Sequence, residues 1–452
     1  MRYHLKSILK SKLTWTFFLI LLISNLYTMI DMDILGESDV EKIRTYYELS
    51  SMSIRGTLSN EKKFIESRPY VNPNYYNYFN YKEWLANNDD KRAEYYSDIK
   101  NLSDYNKFYG LSMQETMADM NLNANPEEGR PFAENVFKRE LEELDTKLEL
   151  EELPFNPHDL YYINNDPELE QNAIYNGHKI YLKRYFDLIL NEEKELNIGT
   201  SSPWSLLVQK LSVEKFSTII ISIICLVYSA ALILEDKKNR SIKLVETLPK
   251  NREYVITHYY LSVLAAMLII LLLSFGIPML IMGLRHDFKG LNNPVLVYPE
   301  GFTSFKVYEH LDEWSYLGLG KYFGSVSTPG YGAPFPSNEL VFYPLWKVFA
   351  LATIPSILKV LFYTLLGLSI VMCSSKNTFA IVITGLFSII TVVSQIYLEN
   401  VLFNPFSIST GWDLAISSTQ FSWLRGITVL GLSWIILFLF TLYYNQKRDF
   451  AN

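Results

Sequence analysis

Residues 216–284 read FSTIIISIICLVYSAALIL, then EDKKNRSIKLVETLPKNREYVITH, then YYLSVLAAMLIILLLSFGIPMLIMGL. Two uncharged runs, Phe216–Leu234 of 19 residues and Tyr259–Leu284 of 26, flank a charged stretch at 235–258. A helix needs about 20 apolar residues to cross about 30 Å of hydrocarbon, so both runs are long enough to span a membrane. The stretch between them must then face one aqueous compartment. It holds six bases, Lys237, Lys238, Arg240, Lys243, Lys250 and Arg252. The excess of Lys and Arg in short inner loops places it in the cytoplasm.

The rest of the chain repeats this pattern. Uncharged runs cover Leu13–Ile30, Asn377–Leu398 and Gly426–Gln446. A sixth, Val348–Ser375, is interrupted by Lys359. If that span ends at Cys373, about 20 residues place its outer end near Ile354. Lys359 then lies within about 8 Å of the outer surface, at about 1.5 Å per residue. Its ammonium is expected to snorkel outward, or else to line a substrate path. The N-terminal tail has Arg2, Lys6, Lys10 and Lys12 and no acid, and the C-terminal tail has Lys447 and Arg448, so both are expected in the cytoplasm. The first run is longer than the ~7–15-residue core of a signal peptide and no small-x-small site follows it, which favours an uncleaved span.

The expected fold is an all-α polytopic membrane protein with six transmembrane helices and a large, mainly helical extracytoplasmic domain between spans one and two. The spans are 13–30, 216–234, 259–284, 354–373, 377–398 and 426–446. The cytoplasmic segments are the 1–12 tail, the 235–258 loop and the 447–452 tail. The outer segments are the 31–213 domain and the loops 285–347 and 399–425.

The net charge of −7 hides an asymmetry. Residues 31–213 hold 34 acids and 20 bases, whereas the remainder holds 14 acids and 21 bases. An acidic outer face suits steering of cationic substrates; solubility is the plainer reading. Pro131 suits the first turn of a helix, and Phe132, Val136, Phe137, Leu141, Leu144 and Leu148 form a stripe at helical spacing, so a helix is expected over 131–152. Others are expected near 40–53, 81–101 and 168–196. Residues 199–213 read as an interfacial helix leading into span two. The run Tyr75, Tyr76, Tyr78, Phe79 and Tyr81 offers an aromatic surface for a peptide, a sugar or lipid headgroups; its alternative is packing in a small core. The second outer loop is long enough to pack against the larger domain.

Several chemistries find no support. Both cysteines, Cys225 and Cys373, fall in spans, so the outer segment is no disulfide scaffold. The six histidines are scattered without metal-ligand spacing. The chain has neither a Gly-x-x-x-x-Gly-Lys-[Ser/Thr] phosphate loop nor a Gly-x-Ser-x-Gly nucleophile elbow. The span centres lack the carboxylates of ion-coupled carriers. The expectation is no enzyme, no metal, no nucleic-acid partner and no cofactor bound by this chain.

Within 235–258, Leu244, Val245 and Leu248 lie at i, i+1 and i+4, and Pro249 ends the turn. A short amphipathic helix beneath the bilayer suits a groove on a partner. Glu235, the charged stretch to Ser241, Ile242, Leu244, Leu248-Pro249 and Arg252 resemble the cytoplasmic loop of type-2 ATP-binding-cassette (ABC-2) transporter permeases. In that loop a small residue is usual where Ser241 stands, and a Lys is common where His258 stands. Six spans and a large insert between spans one and two fit the same family, over roughly 13–30 and 216–446.

The resemblance implies a permease subunit of an ABC exporter. Leu244, Val245, Leu248 and Pro249 would shape the coupling helix, and Glu235 and Arg252 would fix its ends by ion pairs. A separate cytoplasmic ATPase would bring ATP and Mg. A second permease subunit, as homodimer or heterodimer, would complete the pathway. The implied location is a plasma membrane, and the Asn/Lys/Tyr-rich composition suggests a bacterial one. Substrates in view are a peptide of the bacteriocin or antimicrobial type and a lipid-like molecule. The other class left open is a non-transporting membrane scaffold or sensor whose outer domain binds a ligand or partner; a membrane enzyme is third.

Overall fold

A computed structural model describes residues 2–67, 73–98, 102–162, 171–191, 203–208, 210, 215–238, 252–286, 288, 291–292, 294–303, 341–398, 403–408, 410–417 and 422–447. In chain order the α-helices are α1 (Arg2–Lys10), α2 (Lys12–Glu66), α3 (Pro73–Asp98), α4 (Leu102–Leu122), α5 (Ala133–Val136), α6 (Lys138–Leu144), α7 (Gln171–Leu190), α8 (Pro203–Val208), α9 (Lys215–Lys238), α10 (Arg252–His286), α11 (Leu345–Cys373), α12 (Asn377–Tyr397), α13 (Gly411–Ile416) and α14 (Trp423–Lys447). Two short strands, β1 (Pro294–Val297) and β2 (Val341–Pro344), pair antiparallel from Pro294 opposite Pro344 to Val297 opposite Val341.

Among the described residues, six helices are long and apolar enough to cross a membrane: Lys12–Asp31, Ser217–Lys238, Ile256–Arg285, Leu345–Cys373, Asn377–Tyr397 and Trp423–Gln446. The protein is a six-span helical membrane protein. Its largest core joins α1, the start of α2, α9, α10, α11 and α12 through residues such as Ile8, Leu21, Leu226, Met267, Leu368 and Ala380. Hydrophobicity gives little drive between helices in lipid, so packing and hydrogen bonds set the arrangement. Thr14 Oγ1 lies 2.9 Å from the Tyr228 hydroxyl, Asn25 Nδ2 donates to Ser274 O at 2.9 Å, and Ser369 Oγ lies 2.6 Å from Thr441 Oγ1. Trp434 Nε1 donates to the Tyr260 hydroxyl at 3.0 Å, and that hydroxyl donates to Leu361 O at 3.1 Å. These contacts join spans one to two, one to three, four to six, and three to both four and six. Helices α9 and α11 approach closely at Gly367, where a Cβ would lie 2.3 Å from Leu226 O.

The helix that carries the first span does not end where the apolar run and the candidate span end, near Asp31. Helix α2 continues unbroken through the acidic residues after Ile30 to Glu66, 55 residues in all, or about 80 Å at about 1.5 Å per residue. The helix expected over 40–53 belongs to it. Helix α3 returns antiparallel along it, with Lys82 Nζ 2.9 Å from Glu61 Oε1, a contact of Arg55 with Asp90, and the Arg92 guanidinium 4.6 Å from the Tyr47 ring centroid. Helices α4 and α7 complete a helical body around Tyr47, Phe108, Tyr109, Met113, Leu182, Tyr185 and Phe186.

The single helix expected over 131–152 is two short ones. Phe137, with φ −113° and ψ 27°, separates α5 from α6, and α6 ends at Leu144. The break keeps the expected apolar residues inside: Phe137 stacks on Phe186 with centroids 5.2 Å apart, and Leu148 packs against Gly110. The non-helical chain beyond Leu144 lets Glu151 O accept from Gln114 Nε2 at 2.7 Å and its carboxylate from Lys91 Nζ at 2.6 Å. Tertiary contacts outweigh the local helical period here.

The helix that carries the fourth span is also longer than the expected span. Helix α11 begins at Leu345, nine residues before Ile354, so Lys359 is its midpoint, about 21 Å from either end. The ammonium does not snorkel to a helix end; Lys359 is only 8% exposed. Around the start of α11, Val208 of α8, Val295 and Val297 of β1, and Trp412, Ala415 and Ile416 of α13 form a separate apolar cluster. Helix α8 is the described portion of the expected interfacial helix, with Leu206 fully buried. Gly411 permits the contact of α13 with α11, because a Cβ there would lie 2.3 Å from Ala352 O.

Candidate functional site

The root of the 235–258 loop is the last turn of α9. Successive residues of a helix project about 100° apart, so three in a row can reach three neighbours. Glu235 is exposed and accepts a hydrogen bond from Ser11 Oγ at 3.4 Å. Ser11 lies between α1 and α2, and its Oγ also accepts from Leu13 N at 3.2 Å. Asp236 accepts from the Tyr259 hydroxyl near the start of span three. Lys237 Nζ donates to Val371 O at 2.5 Å and to Ser374 O at 3.1 Å. Those carbonyls close α11, where the helix leaves C=O groups without intrahelical donors and a cation is favoured. Glu235, Asp236 and Lys237 thus tie the loop root to the N-terminal helices, span three and span four.

Leu244, Val245, Leu248 and Pro249 lie outside the described residues. Arg252 is the first residue of α10, and its side chain is likewise outside them. At the loop root Glu235 meets a serine hydroxyl. The roles of Asp236 and Lys237 were missed in the sequence because they depend on which span ends lie beside α9. A Tyr at 259 and the very short 374–376 connection were the signals present.

A second polar group sits inside the span bundle. Lys359 Nζ lies 3.4 Å from Gln395 Oε1 of α12, and Gln395 Nε2 donates to the Tyr363 hydroxyl at 3.3 Å. Asp413, in the first turn of α13, adds electrostatic attraction for the ammonium. A charge at this depth is costly unless paired. Here the partners come from spans four and five and from the short helix before span six. Gln395 and Asp413 escaped sequence reading, since neither has a pattern that marks it as a partner of Lys359.

The aromatic run divides between core and surface. Tyr81 is buried against Trp84 and Phe155, with ring centroids 6.4 and 5.3 Å away. Its hydroxyl donates to Asp119 Oδ1 at 2.5 Å. Tyr78 lies against Tyr81, with Lys82 Nζ 4.7 Å from its ring. Tyr75 is half-buried and Tyr76 is exposed. Tyr81 therefore contributes to a core, while Tyr75, Tyr76 and Tyr78 keep exposed surface.

Among the described residues no group of three or more His, Cys, Asp or Glu is placed to hold a metal ion. No curated protein and no solved structure matches the chain. The sequence model of the family described as ABC-2 family transporter protein matches residues 2–421, nearly the whole chain. With six spans and a charged loop root joined to the ends of spans three and four, the chain belongs to the ABC-2 transporter family.

Proposed function

We propose that the chain is the membrane-spanning permease subunit of an ABC exporter, driven by a separate cytoplasmic ATPase that docks on residues 235–258. Family membership supports the permease role. The observation that supports the docking position is the triple attachment of Glu235, Asp236 and Lys237 to three different elements. Force applied to the loop there has direct polar routes to span three and to the end of span four. Leu244, Val245, Leu248 and Pro249 present the apolar side of the docking helix, and Glu235 and Arg252 flank it.

In this reading the ATPase supplies the ATP and Mg sites, and a second permease subunit, identical or related, completes the pathway. Both termini face the cytoplasm of a bacterial cell, by the Lys/Arg balance of the short segments. The α2–α7 body then stands outside. The substrate is an amphiphile, either a peptide of the bacteriocin or antimicrobial type or a lipid-like molecule, and Lys359 is the charge closest to its path. Affinity purification of the tagged chain from its native membrane tests the reading. A P-loop ATPase in stoichiometric amount is expected. Its reproducible absence, with the permease intact, refutes the proposal.

A further inference from the structure

The helical body contains a buried charge cluster that the transport reading does not use. Helix α3 contributes Asp89 and Arg92, and α4 contributes Glu115 and Asp119. Their exposures are 3%, 1%, 6% and 8%. Arg92 Nη2 lies 2.5 Å from Asp89 Oδ1, and Nη1 contacts Glu115 Oε2. Asp119 receives the Tyr81 hydroxyl on one oxygen, while its other oxygen has no hydrogen-bond partner. Ser50 of α2 donates to Asp89, and Tyr47 of α2 lies under the guanidinium. Asp90 and Tyr78 of α3 also act on the cluster electrostatically. The last wall, Leu153, Phe155 and Leu160, is apolar.

Three carboxyl groups therefore share one guanidinium. Fully ionised, the cluster would carry two uncompensated negative charges away from water, which costs several kcal/mol. Asn88 Oδ1 and Arg92 Nε of α3, Ser112 Oγ of α4 and Ser51 Oγ of α2 are buried without a hydrogen-bond partner. The seam is thus held by a charge balance and only partly by satisfied hydrogen bonds, unlike the apolar side where α4 meets α7.

We propose that this seam is a proton-operated switch: α4 packs against α3 while the carboxyl cluster holds protons and separates from the α2–α3 pair when they leave. The carboxyls act across the α3–α4 boundary, whereas α2 and α3 keep their own pairs, Lys82 with Glu61 and Arg55 with Asp90. Burial pushes Glu115 up to about 8, aided by Asp89 and Asp119 and opposed by Arg92. Burial also pushes Asp119 up to about 6 and raises Asp89. For acids raised by folding, the closed seam is fully favoured below the ordinary carboxylate range near 4. It weakens as pH rises, and the loss is complete above about 8. Because α2 is the continuation of span one, the switch changes what packs on that helix beyond the membrane.

Amide hydrogen exchange on the full-length protein in nanodiscs tests the switch, at pH 5, 7 and 9 and corrected for intrinsic exchange. Protection across 102–122 is expected to fall at least about tenfold between pH 5 and 9, the effect of one acid raised by about one pH unit, and to recover on return to pH 5, with α11 unchanged. The double variant Glu115→Gln/Asp119→Asn is expected to lose that dependence, and the exposed-site control Asp145→Asn to keep it. A pH-independent wild type overturns the proposal whether or not the variants fold. So does equal loss in α4 and α11, or an unaltered profile in the double variant.

Discussion

Gly367→Ala is the smallest change that should push spans two and four apart. The added Cβ would lie 2.1 Å from Ser229 Oγ, 2.3 Å from Leu226 O and 3.2 Å from Ala230 N. Turning the Ser229 side chain relieves only the first contact; Leu226 O is helix backbone. A carbon approaches a carbonyl oxygen no closer than about 3.3 Å, so α9 and α11 must separate by about 1 Å. The surrounding side chains, including Leu226, Leu365 and Leu368, are fully buried. A gap of that size forfeits a quarter to a half of each dispersion contact across it. Overpacking of this kind costs about 1–3 kcal/mol, and the better helix propensity of Ala returns at most about 1 kcal/mol. The net loss is about 1–2 kcal/mol, a fall in Tm of about 1–2 °C for a chain of 452 residues.

Thermal unfolding of the full-length protein in nanodiscs, followed by intrinsic fluorescence, measures this loss. Gly385→Ala and Gly431→Ala are the controls, because a Cβ at either position meets nothing within 4 Å. Their Tm should stay level or rise. A Gly367→Ala protein as stable as these controls would refute the close crossing of spans two and four.

Two other substitutions separate polar roles within the bundle. Lys237→Met keeps the apolar stem and removes the donors to Val371 O and Ser374 O. Discounted for partial exposure, the loss is about 1–2 kcal/mol; an unchanged Tm would show that water replaces the lysine without cost. Lys359→Met removes a buried ammonium at nearly constant volume and should leave Tm level or raise it, since a buried charge often costs as much as its pairing returns. A fall of more than a few degrees would show instead that the Lys359–Gln395 contact holds spans four and five together.

The apolar runs made the six spans legible because bilayer thickness constrains composition directly. The start of span four was not legible. Lys359 and Pro355 interrupt the hydropathy, yet backbone bonding and the Trp412 cluster carry α11 back to Leu345. The extension of α2 was hidden for a related reason. Asp31, Asp33 and Glu37 end a hydrophobic run without ending a helix, because none of them breaks the backbone ladder. The opposite error fell at 131–152, where a good helical stripe gave way to the contacts of Phe137 and Glu151. Of the site, Glu235 and Lys359 were legible as charges next to or within spans. Their partners Ser11 and Gln395 were not, since they come from segments 224 and 36 residues away.

In the proposed function an ATPase drives this permease through residues 235–258. The most direct test is ATP hydrolysis by the purified permease–ATPase complex in nanodiscs, with wild type compared to Leu244→Asp/Leu248→Asp. The variant is expected to retain a folded six-span permease, judged by an unchanged Tm, but neither to retain the ATPase on purification nor to alter its turnover. Undiminished complex formation and permease-dependent ATP hydrolysis in the variant would contradict it.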